Sequence, residues 1–265
     1  MSEIDQQETQ TKLQQVQNNF GAAAADYVTS KVHAQGQDLA WLAEAAMLTG
    51  RERVLDVATG GGHAAFALAP RAAEVIALDL TPPMLEVAQK EAEARSLTNI
   101  RFLEGNAQAI PCRNGEFDIV SCRQAAHHFP DIHQAVSEWH RVLKSAGTLL
   151  LIDSASPEEP EIATLLHEIE ILRDPSHMRN HSVSEWKTVL GEAGFSIKTL
   201  QEWGITLDIP SWTRRMRTPA EAVARIETLL QEASPAKRQR LDIQEQDGVF
   251  SFTLPAVFIV ATRAE

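Results

Sequence analysis

The chain has 265 residues, 44% hydrophobic and 23% charged, with a net charge of -12. That length can bury a substantial core, and one α/β domain with a modest insertion is the economical arrangement. The charge argues against nucleic acid, because a polyanion is repelled at long range unless a local basic patch overcomes the field. The one short basic cluster, Arg214, Arg215 and Arg217, is interleaved with Met216 and follows Trp212. It reads either as a solvated, salt-bridged face or as a pocket for an anionic or aromatic substrate. No apolar run approaches the roughly 20 residues needed to span a bilayer. The polar start, Met1 to Gln17, is no signal peptide, so a cytoplasmic protein is expected. Cys112 and Cys122 have neither zinc-ligand spacing nor a disulfide framework; two reduced thiols and no metal are expected.

Residues 1 to 11 read as disordered. A helical stretch follows with Leu13, Val16 and Phe20 on one face, then a second helix through Leu39, Leu42 and Met47 that stops at Gly50. Strands and helices then alternate, which predicts a parallel sheet covered on both faces. Val54–Ala58 is a first strand running into Gly60-Gly61-Gly62, and His63–Ala69 a helix stopped near Pro70. Glu74–Leu80 is a second strand. Thr81 is placed to cap the next helix, with Pro82 at its first position. Ile100–Leu103 and Phe117–Ser121 are further strands. Asp131 caps a helix carrying Trp139 and Leu143 that Gly147 ends, before a fifth strand, Thr148–Ile152. A helix through Ile162 and Ile169 breaks before Pro175. Ser182 and Glu185 form a capping box for another, closed by Gly194. Phe195–Trp203 is a sixth strand, and Thr218–Glu221 opens a helix in the same capped manner. Val249–Val260 is the closing strand, in which Pro255 requires an edge, bulge or break. The stretch 204–248 is too long for a plain connection and reads as an insertion with its own helices.

The glycine turn lets backbone approach a bulky ligand, and the following helix offers its positive end. Alone this is weak: from Gly60 to Ala65 the residues also fit a dinucleotide fingerprint, with Asp79 at a plausible distance for a ribose. Asp56 separates the two readings. A carboxylate inside an apolar strand is costly unless paired or hydrogen-bonded, and it would repel a pyrophosphate but suit an ammonium and a sulfonium. A structural hydrogen bond to the loop is the plainer alternative. A nicotinamide-dependent oxidoreductase would also need a hydride-transfer acid, and Tyr27 with Lys31 lies ahead of the glycine turn, in the wrong place.

Val54–Gly62 resembles motif I of class I S-adenosylmethionine-dependent methyltransferases. Leu78–Leu85 looks like the family's ribose acid, Asp79, followed by an adenosine-packing Met84; Gly105–Pro111 is similar to its adenine-contacting stretch; Phe117–Val120 and Arg141–Gly147 match later blocks in order and spacing. The chain most resembles the ubiquinone/menaquinone-biosynthesis C-methyltransferase branch (methyltransferase type 11) and its bacterial relatives. The resemblance implies a Rossmann-like, seven-stranded, mostly parallel sheet with helices on both faces and a helical lid. It divides the chain into an N-terminal helical cap (1–50), an S-adenosylmethionine-binding core (51–155) and a C-terminal part (156–265) with a lid at 156–193 and 204–248. The implied cofactor is S-adenosyl-L-methionine, held by Tyr27, Asp56, Ala58, Gly60, Gly62, Asp79, Leu80, Met84, Asn106, Ala107 and Arg123. Three departures stand out. Ala58 replaces a glycine, tolerable if its φ stays negative; Asn106 replaces an Asp; and Ser145-Ala146 replaces Pro-Gly in a turn.

The segment Cys122–Asp131 follows the fourth strand, where ligands bind beyond the carboxyl ends of a parallel sheet. His128, with His127 as alternate, is the candidate base that deprotonates a small-molecule acceptor held in line at about 3–3.5 Å from the methyl carbon. His177, Arg179 and Trp212 are candidate acceptor contacts. The expected function is methyl transfer to carbon, oxygen or nitrogen of a small molecule, the alternative being a protein that binds the cofactor without transfer. The expected partners are that small molecule and no nucleic acid, with a homodimer left open.

Overall fold

The computed structural model describes residues 10–21 and 36–264. A first helix, α1 (10–21), is followed by α2 (Gln37–Ala45), and alternation begins with β1 (Arg53–Val57), α3 (His63–Leu68), β2 (Glu74–Asp79), α4 (Pro82–Ala94) and β3 (Ile100–Glu104). Then come β4 (Phe117–Arg123), α5 (Ile132–Val142), β5 (Leu143–Ser156), α6 (Pro160–Arg173), the two-residue β6 (His181–Ser182), α7 (Val183–Glu192) and β7 (Phe195–Asp208). The last stretch holds α8 (Ile209–Arg215), α9 (Ala220–Gln231), α10 (Pro235–Arg240), β8 (Gln244–Gln246) and β9 (Val249–Arg263).

Seven of the strands form one path, β3-β2-β1-β4-β5-β9-β7, with β6 beside β5 and β8 beside β9. The pairs from β3 to β5 are parallel, and β9 is antiparallel to both neighbours. This is the expected Rossmann-like sheet. Its strands are apolar on both faces because side chains alternate. Leu55, Val57, Ile76 and Leu78 pack with Trp139 and Trp186 on one side, while Val54, Val75, Ala77 and Ile119 pack with Leu42, Ala64 and Leu68 on the other. No helix among the described residues is long and apolar enough to cross a membrane.

Several local expectations are corrected. Residues 10 and 11, expected to be disordered, belong to α1. The α2 helix ends at Ala45, and Met47 turns left-handed (φ 44°) and exposed instead of extending it to Gly50. Asp131 caps α5 by accepting from the Gln134 N–H, yet the helix stops at Val142, because Leu143 is already extended and paired with Phe117. Thr81 sits at the N-cap of α4 without a side-chain cap bond, as Thr218 is absent from the cap of α9; the Thr218 hydroxyl donates instead to the Arg173 carbonyl. The capping box of Ser182 and Glu185 forms as expected. Pro255 is accommodated because β9 pairs with β5 only from Ala256 onward; at Pro255 its one neighbour is Gly204 of β7.

The insertion begins later than expected, since β7 continues to Asp208. The long β7–β9 ribbon projects past the parallel strands and builds a third apolar cluster with α6, α8 and α9, in which Ile169, Trp212, Ile226, Leu230 and Phe252 are buried. At the other side of the sheet, α2 is fastened by a buried ion pair, Arg123 Nε to Asp38 Oδ2 at 2.6 Å, with both side chains under 10% exposed. Asp38→Ala leaves a buried guanidinium uncompensated, so unfolding free energy from denaturant titration should fall by about 3 kcal/mol or more. A loss under about 1 kcal/mol would mean the pair is solvated.

Candidate active site

The carboxyl ends of β1, β2 and β4 open into a cavity of about 420 Å³. On one flank lie Asp56, Ala58, Gly60, Asp79, Leu80, Met84, Asn106 and Ala107; on the other, His127, His128, Glu170, Arg173 and Trp212. Leu13, Val16 and Phe20 of α1 complete the lining. The α1 helix bridges the two flanks, with the Gln17 amide donating to the Leu80 carbonyl (2.8 Å) and the Asn19 amide to Asp174 Oδ1 (3.2 Å).

Asp56 is 1% exposed and fully used by the scaffold. Its Oδ2 accepts from the Thr59 hydroxyl (2.6 Å) and the Ala65 N–H (3.1 Å), and its Oδ1 from the Ser121 hydroxyl (2.7 Å). Burial pushes its pKa up to about 6 against those bonds. The plainer alternative for Asp56, a structural role in the loop, is therefore the one its contacts describe. Asp79 accepts from two backbone donors, the Gly60 N–H (2.8 Å) and the Thr81 N–H (2.9 Å). Burial raises its pKa, although the Thr81 side chain and the Leu80 N–H also favour its ionised form. Asn106 Oδ1 accepts from the Gln108 N–H (2.9 Å), closing its own turn.

The glycine turn needs its residues. Gly60 has φ 53°, and Gly62 has φ 85° with Phe66 so near that an added Cβ would lie 2.3 Å from its ring. Gly62 supports the turn and is not part of the cavity lining. Ala58, expected to keep negative φ, has φ 53°. The chain must reverse there to carry the Thr59 N–H to the Leu78 carbonyl (2.9 Å), and an alanine takes the left-handed strain. Gln124, at the matching end of β4, is also left-handed (φ 54°). Two strained non-glycine residues thus flank one cavity.

The second flank is a chain of buried polar groups. His127 is held by Asp153, which accepts from its backbone N–H (2.9 Å) and meets its Nδ1 at 2.5 Å. Burial opposes a charge on His127, but Asp153 with Glu170 and Asp174 outweighs it and raises the pKa. His128 behaves oppositely: burial and the neighbouring His127 lower it to about 4. Its Nδ1 lies 3.1 Å from the Ser176 carbonyl, and Phe20 packs edge-on to its ring at 4.9 Å. His177 is buried beneath this pair, 3.6 Å from Glu170, and burial holds its pKa far below the usual imidazole value.

Of the acceptor-side candidates, Trp212 lines the cavity and stacks edge-on to Phe252, while His177 lies behind the lining. Arg179 is directed away, half-exposed and paired with Glu185. Arg123 lines the cavity but is engaged by Asp38. Tyr27 lies outside the described residues. Glu170, Arg173 and Trp203 line the cavity without having been picked out by sequence. Their signal is weak, since each sits in a helix or strand where a polar or aromatic residue is unexceptional. Among the described residues no group of three or more His, Cys, Asp or Glu is arranged to hold a metal.

Residues 55–151 match the model of a methyltransferase domain. The chain is 37% identical over 242 residues to the uncharacterised methyltransferase YcgJ of Bacillus subtilis, covering 91% of this chain and 96% of that one. It belongs to the methyltransferase family. The crystal structure of YcgJ superposes with a TM-score of 0.84 over 86% of this chain and 99% of the other, at 36% identity. A methyltransferase structure from Bacillus halodurans C-125 gives 0.84 at 38% identity over 87% and 100%. The demethylmenaquinone methyltransferase of Thermus thermophilus is 41% identical over 127 residues, 46% of this chain and 57% of the relative. The enzyme is thus an S-adenosylmethionine-dependent methyltransferase, and the nicotinamide alternative gives way to that membership.

Ala58 offers a direct measure of strain in the turn. Ala58→Val forces a β-branched residue into the left-handed region and should lower stability by about 1–3 kcal/mol. Ala58→Gly should be neutral or stabilising by up to about 1 kcal/mol. Thermal melts of the two variants should therefore bracket the parent.

Proposed function

We propose that this methyltransferase acts on a small molecule with an apolar body and an ionisable C–H, O–H or N–H group. The observation that carries the proposal is one cavity lined on one flank by the glycine turn and on the other by buried histidines, a glutamate and Trp212. Its volume, about 420 Å³, is that of a small-molecule site. The net charge of -12 also speaks against a polyanionic substrate.

The cofactor flank fits S-adenosylmethionine by the chemistry of its donors and acceptors. Asp79 lines the cavity with a carboxylate suited to accept from vicinal ribose hydroxyls, and Leu80 and Met84 offer apolar surface to the purine beside Asn106 and Ala107. The cofactor supplies an electrophilic methyl group when bound. The chain's own residues have simpler tasks. The Gly60–Gly61 backbone leaves room for close approach, α1 covers the opening with Leu13, Val16 and Phe20, and Trp203, Leu207, Trp212 and Leu254 keep water from the acceptor. His128, with a pKa lowered to about 4, presents an uncharged imidazole to the cavity, while Asp153 favours the charged form of His127 and raises its pKa against burial.

Calorimetric titration with S-adenosylhomocysteine tests the cofactor flank. The parent should bind, and Asp79→Asn should weaken binding about 10- to 100-fold, as expected for a charged hydrogen-bond acceptor worth about 1.5–3 kcal/mol. No binding by the parent would overturn the reading.

A further inference from the structure

Four carboxylates line the cavity among the described residues: Asp38, Asp56, Asp79 and Glu170. Asp38 is spent on Arg123 and Asp56 on three scaffold donors, and Asp79 belongs to the cofactor flank beside the glycine turn. Glu170 differs. It stands in α6 on the acceptor flank, 6% exposed, and its hydrogen bond is to one oxygen only: Oε2 accepts from the Asn180 amide. Asn180 is in turn oriented by the Ser154 hydroxyl, which donates to its Oδ1 at 2.6 Å. A cavity-lining carboxylate held by a buried amide at one oxygen only has the geometry of a positioned base.

We propose that Glu170 takes the proton from the methyl acceptor, held in position by Asn180 and Ser154. The inference rests on the small-molecule methyl-transfer reading above. In balanced form, the acceptor X–H gives its proton to Glu170 Oε1. The freed electron pair on X forms the bond to the methyl carbon, and the carbon–sulfur pair returns to sulfur, leaving a neutral thioether. The protonated Glu170 then releases its proton to water when the cavity opens. No further co-reactant is needed.

The histidines are less suited to the task. His128, with its Nδ1 on the Ser176 carbonyl and a pKa near 4, is a weak base. His127 has its Nδ1 engaged by Asp153 at 2.5 Å, so that nitrogen is not available to an acceptor. Glu170 is matched to neutral pH, because burial raises its carboxyl to about 7 against the lowering influence of His127, Arg173 and the Asn180 bond. The charged and titratable groups around it are His127 at the end of β4, Asp153 of β5, His177 in the loop after α6, Arg173 on its own helix, and Arg215 of α8 in the same cavity. The sign follows from the base form being active: turnover should rise as pH climbs through the Glu170 midpoint.

Two readouts on the full chain decide the matter. The first is a carbon NMR titration of protein carrying carboxyl-labelled glutamate, compared with Glu170→Gln, which keeps an oxygen for Asn180. The second is transfer of labelled methyl from S-adenosylmethionine to molecules in a low-molecular-weight cell filtrate, followed against pH. One glutamate should titrate near neutrality and vanish in E170Q. The variant should lose about 100-fold or more in transfer at pH 7, recover as rising pH ionises the acceptor unaided, and keep its affinity for S-adenosylhomocysteine. If E170Q fails to melt cooperatively, Glu170→Asp made with carboxyl-labelled aspartate takes its place, with one new aspartate titrating near neutrality and transfer only partly reduced. Titration of Glu170 in the ordinary carboxylate range, or an E170Q profile like the parent's, overturns Glu170 alone. A parent that binds S-adenosylhomocysteine yet labels nothing overturns the small-molecule reading and the proton role with it.

Discussion

The hydrogen-bond node at Asp56 is the constraint on which the site depends. A single buried carboxylate collects a hydroxyl from the glycine turn, an N–H from the first turn of α3 and a hydroxyl from β4. These are three separate elements, and the node fixes their relative positions at the point where the sheet opens. A buried anion without such donors would cost several kcal/mol; with them it becomes the pin that sets the turn. Asp79 makes the next link, since its bond to the Gly60 N–H ties the turn to β2. The left-handed Ala58 is the local cost of this arrangement. The turn is held by so many bonds that it tolerates a residue there with a Cβ.

The alternation of strands and helices was legible because parallel strands buried on both faces leave short apolar runs, continuous at Leu149–Ile152 and broken only by Asp56 at Val54–Val57. Cap chemistry was legible where a side chain had no better partner. Asp131 and Ser182 cap as their positions suggest. Thr218 does not, because the carbonyl of Arg173 competes for its hydroxyl, and that carbonyl lies 45 residues away in the chain. For Asp56 the sequence left a ligand role and a structural one both open, because Ser121, the partner that decides between them, is 65 residues distant. Glu170 gave no signal. It follows Ile169 on a helix whose apolar residues already suggest burial, and only the closing of β5 and the 174–182 loop around it encloses its carboxylate with Asn180 and His177.

The two histidines show why neighbouring identical side chains need not share a role. Their rings are 4.3 Å apart, too close for both to carry charge in a buried setting. Asp153 resolves the conflict by favouring the cation on His127, and that cation then pushes His128 further toward neutrality. The two imidazoles are thereby pushed in opposite directions, and the division is made by one carboxylate beyond the cavity wall.

The site also divides along the chain. The cofactor flank is built almost wholly within residues 55–151, the part that matches the methyltransferase-domain model, and it relies on backbone groups and two acids. The acceptor flank comes largely from outside that range: Glu170 and Arg173 from α6, Trp203 from β7, Trp212 from α8, and Phe20 from α1. Trp212 and the α6 helix that carries Glu170 and Arg173 are anchored in a separate apolar cluster built on the β7–β9 ribbon, with Ile169, Trp212 and Phe252 buried in it, whereas Trp203 packs on the α2 face of the sheet against Trp41. Because that cluster packs on its own, its lining can change without disturbing the Asp56 node, which touches none of it. A shared cofactor half and an independently packed acceptor half let one fold serve different acceptors. On the proposed assignment of Glu170, selectivity resides in the second half, where that buried glutamate and the aromatic residues of the lining meet the acceptor.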